Sequence, residues 1–132
     1  MRILLALVVA NVVVSVSDWF FFGVLWHKKY NAHPEVWRRP AGGVGEGRAV
    51  ALSALVGALT PTAFILLCTS VGVVHLQQTL LLGLGVWLMG PIPMWCWSYV
   101  FMKLHPLILA AGILGWLVRL GGSALVVAVL LG

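Results

Sequence analysis

Between Ile3 and Trp26 the chain holds a single ionisable residue, Asp18, in an otherwise apolar run. As a helix rising about 1.5 Å per residue, this run measures roughly 36 Å, enough to cross the ~30 Å hydrocarbon core of a bilayer with some tilt. In such a core every backbone polar group must find its partner within protein, which a helix achieves in one segment. A secretory signal would begin in the same way, with Ser15-Val16-Ser17 marking a cut before Asp18. Its apolar region, however, covers only about 7–15 residues and stops at the cleavage site. Here "WFFFGVLW" follows Asp18 directly. A retained span with a carboxylate inside it is the expectation.

The pattern recurs. Apolar segments cover residues 3–26, 48–71, 79–102 and 107–131, and the last three are joined by the short turns "GVVHLQQ" and "KLHP". The chain is 62% hydrophobic and 8% charged, with a mean hydropathy of +1.09. Soluble domains are about 45–50% apolar and about 25% charged. A soluble domain is excluded on those figures. The 132 residues leave room for about four spans and no second domain. The predicted fold is an all-α, integral membrane four-transmembrane-helix bundle.

The net charge of +5 could suggest nucleic acid, but its placement argues otherwise. Lys28, Lys29, Arg38, Arg39 and Arg48 lie in or beside one loop, residues 27–47. This is the positive-inside pattern of a membrane protein. With Lys103 added, the first and third loops carry the basic residues, whereas the other side has Arg2. The loop is predicted cytoplasmic, both termini outside, in the cell's inner (plasma) membrane. Within the loop, Pro34–Arg39 could form an interfacial helical turn with Trp37 at headgroup level. The implied partners are the lipid bilayer and another copy or membrane protein, not nucleic acid.

Two charges fall well inside spans, Asp18 and Arg119. Each costs roughly 2.5–3.5 kcal/mol on insertion scales, so each is expected to face protein and have a partner. Asn11, Ser15 and Asp18 form one stripe at helical spacing. Arg119 shares its face with Gly112, Gly115, Gly122 and Ser123, small residues that let helices approach. Counting from the loop end, Asp18 lies at about 12 Å and Arg119 at about 18 Å. An arginine stem reaches across that gap. The expectation is an Asp18–Arg119 ion pair, with Asn11 and Ser15 filling the remaining hydrogen-bond positions. Such a pair can be structural, or part of a proton or ion path; an arginine partner holds the carboxylate ionised, which favours the structural role.

Span three contains "GPIP". Gly90, Pro91 and Pro93 should break its helix, because neither proline donates a backbone hydrogen bond. Broken helices at mid-depth mark sites in many transporters. Thr60–Pro61 predicts a milder kink in span two. His27 and His105 both lie at the predicted inner boundary and could share a metal or haem. Cys68 and Cys96 fall at different depths, too far apart for a disulfide. No nucleophile–base pair, phosphate loop or paired carboxylate motif is present, so neither enzymatic activity nor a cofactor is expected.

The segment "FGVLWHKKYNAHPEVW", Phe22 to Trp37, resembles the first-loop pattern of a bacterial family of small four-span membrane proteins, domain of unknown function 1761. The matching positions are Gly23, Trp26, Tyr30 and Trp37, and His27 stands where that pattern has an aromatic. The resemblance implies a four-span architecture and no activity. The plan is also similar to that of small multidrug transporters, which carry an acidic residue in span one. Arg119 and the basic loop depart from their pattern. Three functions are compatible with the chain. The first is a non-enzymatic protein acting through helix association, as a homo-oligomer or an accessory subunit of a membrane complex. The second is a small transporter or channel with a site near Asp18, Arg119 and the Gly90–Pro93 break. The third is a pigment- or haem-binding membrane protein.

Overall fold

The computed structural model describes residues 1–33, 35 and 45–132. The expected interfacial turn, with Trp37, Arg38 and Arg39, lies outside them. All secondary structure among the described residues is helical. Helix α1 (Arg2–Asp18) continues into a π-helical segment (Trp19–Leu25) and the short α2 (His27–Asn31). Then follow α3 (Glu46–Gly57), α4 (Leu59–Val71), α5 (Leu76–Met89), α6 (Pro91–Phe101) and α7 (Pro106–Leu130). They combine into four units long and apolar enough to cross a membrane: Arg2–Leu25, Gly47–Val71, Leu76–Phe101 and Pro106–Leu130.

Local chemistry sets the ends of these units. Gly72 takes φ 71°, a left-handed conformation that glycine adopts without strain, and closes α4. The Val73 N–H then reaches back to the Cys68 carbonyl at 2.9 Å, which satisfies an otherwise orphaned acceptor. At the start of α7, Pro106 occupies a position where no N–H is needed. The His105 ring caps it, its Nδ1 accepting from the Leu107 N–H at 3.1 Å.

Two proline breaks divide the inner helices. Pro61 has no N–H to offer the Gly57 carbonyl, and the helix is interrupted at Ala58, between α3 and α4. In the third unit the interruption is at Gly90, with φ −112° and ψ −77°. The Gly90 N–H still reaches the Val86 carbonyl at 3.0 Å, and the Met94 N–H reaches the Gly90 carbonyl at 3.1 Å. The ladder therefore closes on both sides of the break, and the Val86 carbonyl is not left free.

Helix α7 is the hub: α1, α4, α5 and α6 all pack on it. Its small residues make this possible. A Cβ at Gly112 would overlap the Trp95 indole of α6, and one at Gly115 would come 2.7 Å from Phe22 Cζ. The core joins Ala6 and Ala10 of α1, Phe64, Ile65 and Cys68 of α4, and Leu120, Ala124 and Val127 of α7. Buried Thr79 ties α5 to this core, its hydroxyl lying 3.0 Å from the Leu76 carbonyl and 3.3 Å from that of Ala124. The Trp87 indole donates to the Ile113 carbonyl at 2.9 Å. Cys68 is buried in the core and Cys96 is exposed, so only Cys68 has a packing role.

One departure lies in the first unit. Regular α-helix is expected to Trp26, but it ends at Asp18. Beyond it the chain winds more widely, and the Trp26 N–H bonds five residues back to the Phe21 carbonyl at 3.1 Å. The wider turn lies where Phe22 crowds Gly115 of α7. Phe21 meets Phe22 edge-on at 5.0 Å and Trp26 at 5.7 Å.

Candidate functional site at the Asp18–Arg119 cleft

Helices α1 and α7 run antiparallel in a common register. Asp18 faces Arg119, and one helical turn further Phe22 faces Gly115. Within that register the guanidinium meets the carboxylate twice. Arg119 Nε donates to Asp18 Oδ1 at 2.9 Å, and Nη2 lies 2.8 Å from Oδ2. The paired planar groups form two parallel charge-assisted hydrogen bonds. The Trp116 ring, one turn earlier on α7, lies 5.6 Å from the guanidinium carbon, within cation–π reach. Ser123 Oγ donates to the Arg119 carbonyl at 2.9 Å.

The pair is not sealed. The Arg119 side chain is 22% exposed and that of Asp18 24%. Both line a cleft of about 450 Å³ between the first unit and α3, which Asn11 and Ser15 also line. The cleft exists because α3 stands off the bundle: none of its described side chains is buried. The interruption at Ala58 lies next to Gly57, which borders the ion pair. A methyl group on Gly57 would sit 3.8 Å from Arg119 Nη2, in ordinary van der Waals contact, so Gly57 lies directly beside the guanidinium. Trp19 and Phe22 form an aromatic wall, and Ser53 and Ala54 line the α3 side.

The four polar residues expected together thus border one cleft, but Asn11 and Ser15 do not complete the ion pair. The Asn11 amide donates to the Leu7 carbonyl at 2.8 Å and to Thr62 Oγ1 at 3.3 Å. It ties α1 to α4 rather than completing the ion pair. Ser15 is exposed on the cleft rim, and its hydroxyl bonds neither Asp18 nor Arg119 among the described residues. Asp18 already has its charge partner, so nothing draws the hydroxyl inward. Thr62 was not anticipated, since its role depends on which helices are neighbours. The Gly57–Pro61 spacing was the available signal for the break beside Arg119.

The Gly90–Pro93 break stands apart from this cleft. Gly90 and Pro93 are exposed and Pro91 is buried, and none of them lines it. The α5–α6 unit packs on the other side of α7 through Trp95 and Trp87. The single site expected near both the charges and this break is therefore divided: the break beside the charges is that of Pro61. The Trp95 Nε1 is buried with no hydrogen-bond partner among the described residues.

At the loop end, the His105 and His33 rings meet at 4.2 Å, tilted by 41°, and His33 Nδ1 lies 3.0 Å from Glu35 Oε1. Hydrogen bonds from its own backbone N–H and from His33 hold the exposed Glu35 carboxyl below its ordinary range. The metal expectation joined His105 to His27, whereas its ring neighbour is His33 and its Nδ1 is committed to the α7 cap. Among the described residues no three His, Cys, Asp or Glu side chains gather as a metal site. Lys28 and Lys29 are exposed on α2, and Lys29 Nζ lies 4.8 Å over the Trp26 ring. The likeness of residues 22–37 to the four-span family rests partly on Trp37, outside the described residues. No protein-family model matches the chain, and no curated protein or solved structure matches it significantly.

Proposed function

We propose that this chain is a multi-pass membrane protein that binds a polar solute in the Asp18–Arg119 cleft, as the binding element of a small transporter or channel. The observation that carries this reading is the openness of the ion pair. A purely structural pair in a span would be closed off by neighbouring helices, because exposed charge in hydrocarbon is costly. Here the pair borders a cleft of about 450 Å³, beside a helix break whose Gly57 carbonyl Pro61 cannot satisfy. A carbonyl deprived of its helical donor within a span is tolerated where it lines a cavity.

Membrane insertion is supported by the four apolar units and by large apolar side chains turned outward, such as Leu55, Val100 and Val129, each more than 70% exposed. Such a surface would aggregate in water. Exposed Lys28, Lys29, Arg48 and Lys103 gather at the end where His33 meets His105. On the positive-inside rule this end is cytoplasmic, with both termini outside.

The test is water access. In a variant lacking Cys68 and Cys96, Ser53→Cys should react with a membrane-impermeant maleimide in proteoliposomes. Leu55→Cys, 71% exposed on the outer face of α3, should be shielded by lipid and react slowly. Equal protection of the two thiols would overturn the reading.

A second reading is association. No described side chain of α3 is buried, and Ser53, Ala54, Gly57 and Ala58 present small residues suited to a close helix contact. A second copy, or another subunit of a membrane complex, would then cover the cleft. Val50→Cys crosslinking between copies in native membrane would favour this reading, and a monomer in the same membranes would remove the homo-oligomeric form of it.

A further inference from the structure

We infer that the cleft selects a zwitterionic ligand, with its ammonium at Asp18 and its carboxylate or phosphate at Arg119. The inference rests on the reading of the cleft as a solute site and names the class of solute.

The unused hydrogen-bonding capacity of the pair carries the argument. A guanidinium has five N–H donors and a carboxylate about four acceptor positions. The pair consumes one donor at Nε, one at Nη2 and one position on each carboxylate oxygen. The rest of Nη2 and all of Nη1 stay available, as does a further position on each oxygen. Among the described residues neither group makes another hydrogen bond. Unused donors and acceptors of opposite charge therefore lie side by side on two residues that line the cleft.

Charge balance then sets the ligand. Asp18 and Arg119 are the only ionisable residues lining the cleft among those described, so the site is neutral overall. A simple cation attracted to Asp18 meets Arg119 within a few ångströms, and a simple anion meets the converse, so attraction and repulsion nearly cancel. A ligand with both charges a few bonds apart places each pole on its complement and escapes that cancellation.

The uncharged lining suits the same poles. Gly57, whose carbonyl Pro61 deprives of its usual donor, lines the α3 side, and Trp19, a residue type that binds cations through its ring, lines the opposite wall. The volume of about 450 Å³ lies in the usual range for small-ligand sites and fits an amino acid or the headgroup of an aminophospholipid. Both sources present the same chemistry.

The test uses Ser53→Cys in the variant lacking Cys68 and Cys96, with Asp18 and Arg119 intact, in nanodiscs of phosphatidylglycerol. Maleimide labelling is followed with added alanine, propionate or propylammonium, and in nanodiscs containing phosphatidylethanolamine. Rising alanine should slow labelling along a saturation curve, to about a tenth or less. Propionate and propylammonium at equal concentration should leave the rate nearly unchanged. Slowing by phosphatidylethanolamine alone, without effect of alanine, would assign the site to the lipid headgroup and keep the inference. Labelling that proceeds but is slowed by neither alanine nor phosphatidylethanolamine, or is slowed as well by either single-charge ion, would overturn the inference and leave the hydrated cleft standing. Absence of labelling in every arm would overturn both.

Discussion

Arg119 holds Asp18 through two parallel hydrogen bonds of 2.9 and 2.8 Å, across 101 residues of chain. The contact joins the first helical unit to the hub helix beside the cleft that α3 borders. It is a lock on one side and a lining on the other. Fully buried pairs lose about 3–5 kcal/mol when one partner is removed, and surface pairs about 0–1 kcal/mol.

With the pair about a quarter exposed, Asp18→Asn should cost an intermediate amount, about 1–3 kcal/mol, because the guanidinium loses its counter-charge. Arg119→Lys should also destabilise, since an ammonium cannot match both carboxylate oxygens in the plane. Unfolding in detergent followed by circular dichroism measures both. Wild-type stability in Asp18→Asn would show that the contact holds nothing together.

Gly112 and Gly121 sit on the same helix with opposite surroundings. A Cβ at Gly112 would overlap the Trp95 ring, whereas one at Gly121 has nothing within 4 Å. Gly112→Ala should destabilise by about 1–3 kcal/mol through overpacking. Gly121→Ala should instead gain up to about 1 kcal/mol from helix propensity. Equal stability of the two variants would contradict the packing of α6 on α7.

The Glu35 carboxyl is held below its ordinary range by its own backbone N–H and by His33. A carboxyl with a lowered folded pKa adds stability above its unfolded value, and that contribution is lost as pH falls through the folded one. Glu35 should therefore still be ionised at pH values where a free glutamate, with pKa about 4.3, is half protonated. Carboxyl-carbon NMR titration in micelles reads this directly. A midpoint at or above the free value would remove the His33–Glu35 contact, and His33→Ala should move the midpoint upward.

The four helical units were legible because a long apolar run can meet its hydrogen-bonding needs in a bilayer only as a helix. The third unit, expected over residues 79–102, covers Leu76–Phe101, because Leu76, Gln77 and Gln78 of the expected turn join its helix. The meeting of Asp18 and Arg119 was legible for a related reason: depth along an antiparallel helix can be counted from its ends. What could not be read was neighbourhood and winding. Asn11 turns to Thr62 because α1 packs on α4, and no residue pattern on α1 encodes that choice. The π-helical stretch Trp19–Leu25 is apolar at every position, so hydrophobic periodicity cannot distinguish wide from regular winding. Pro91 and Pro93 predict a stronger break than Pro61 alone, because two prolines remove two helix donors. The break that matters for the charges is set instead by its depth beside Arg119.

That dependence on Pro61 is open to test. Pro61 is fully buried and its missing N–H leaves the Gly57 carbonyl without its usual donor. Pro61→Ala restores the donor and removes the ring that clashes with the preceding turn, a change worth up to about 3 kcal/mol in a helix interior. It also leaves a small cavity, which costs stability, so the net stability change has no decisive sign. Geometry does. With the break relaxed, α3 should continue the line of α4, and the cleft should change width. Spin labels at Ser15→Cys and Ser53→Cys, on opposite walls of the cleft, should report an altered mean distance by pulsed electron resonance. The labelling rate of Ser53→Cys should change with it. If both distance and rate match those of the proline-containing protein, the cleft does not owe its shape to Pro61, and the standing-off of α3 has another origin.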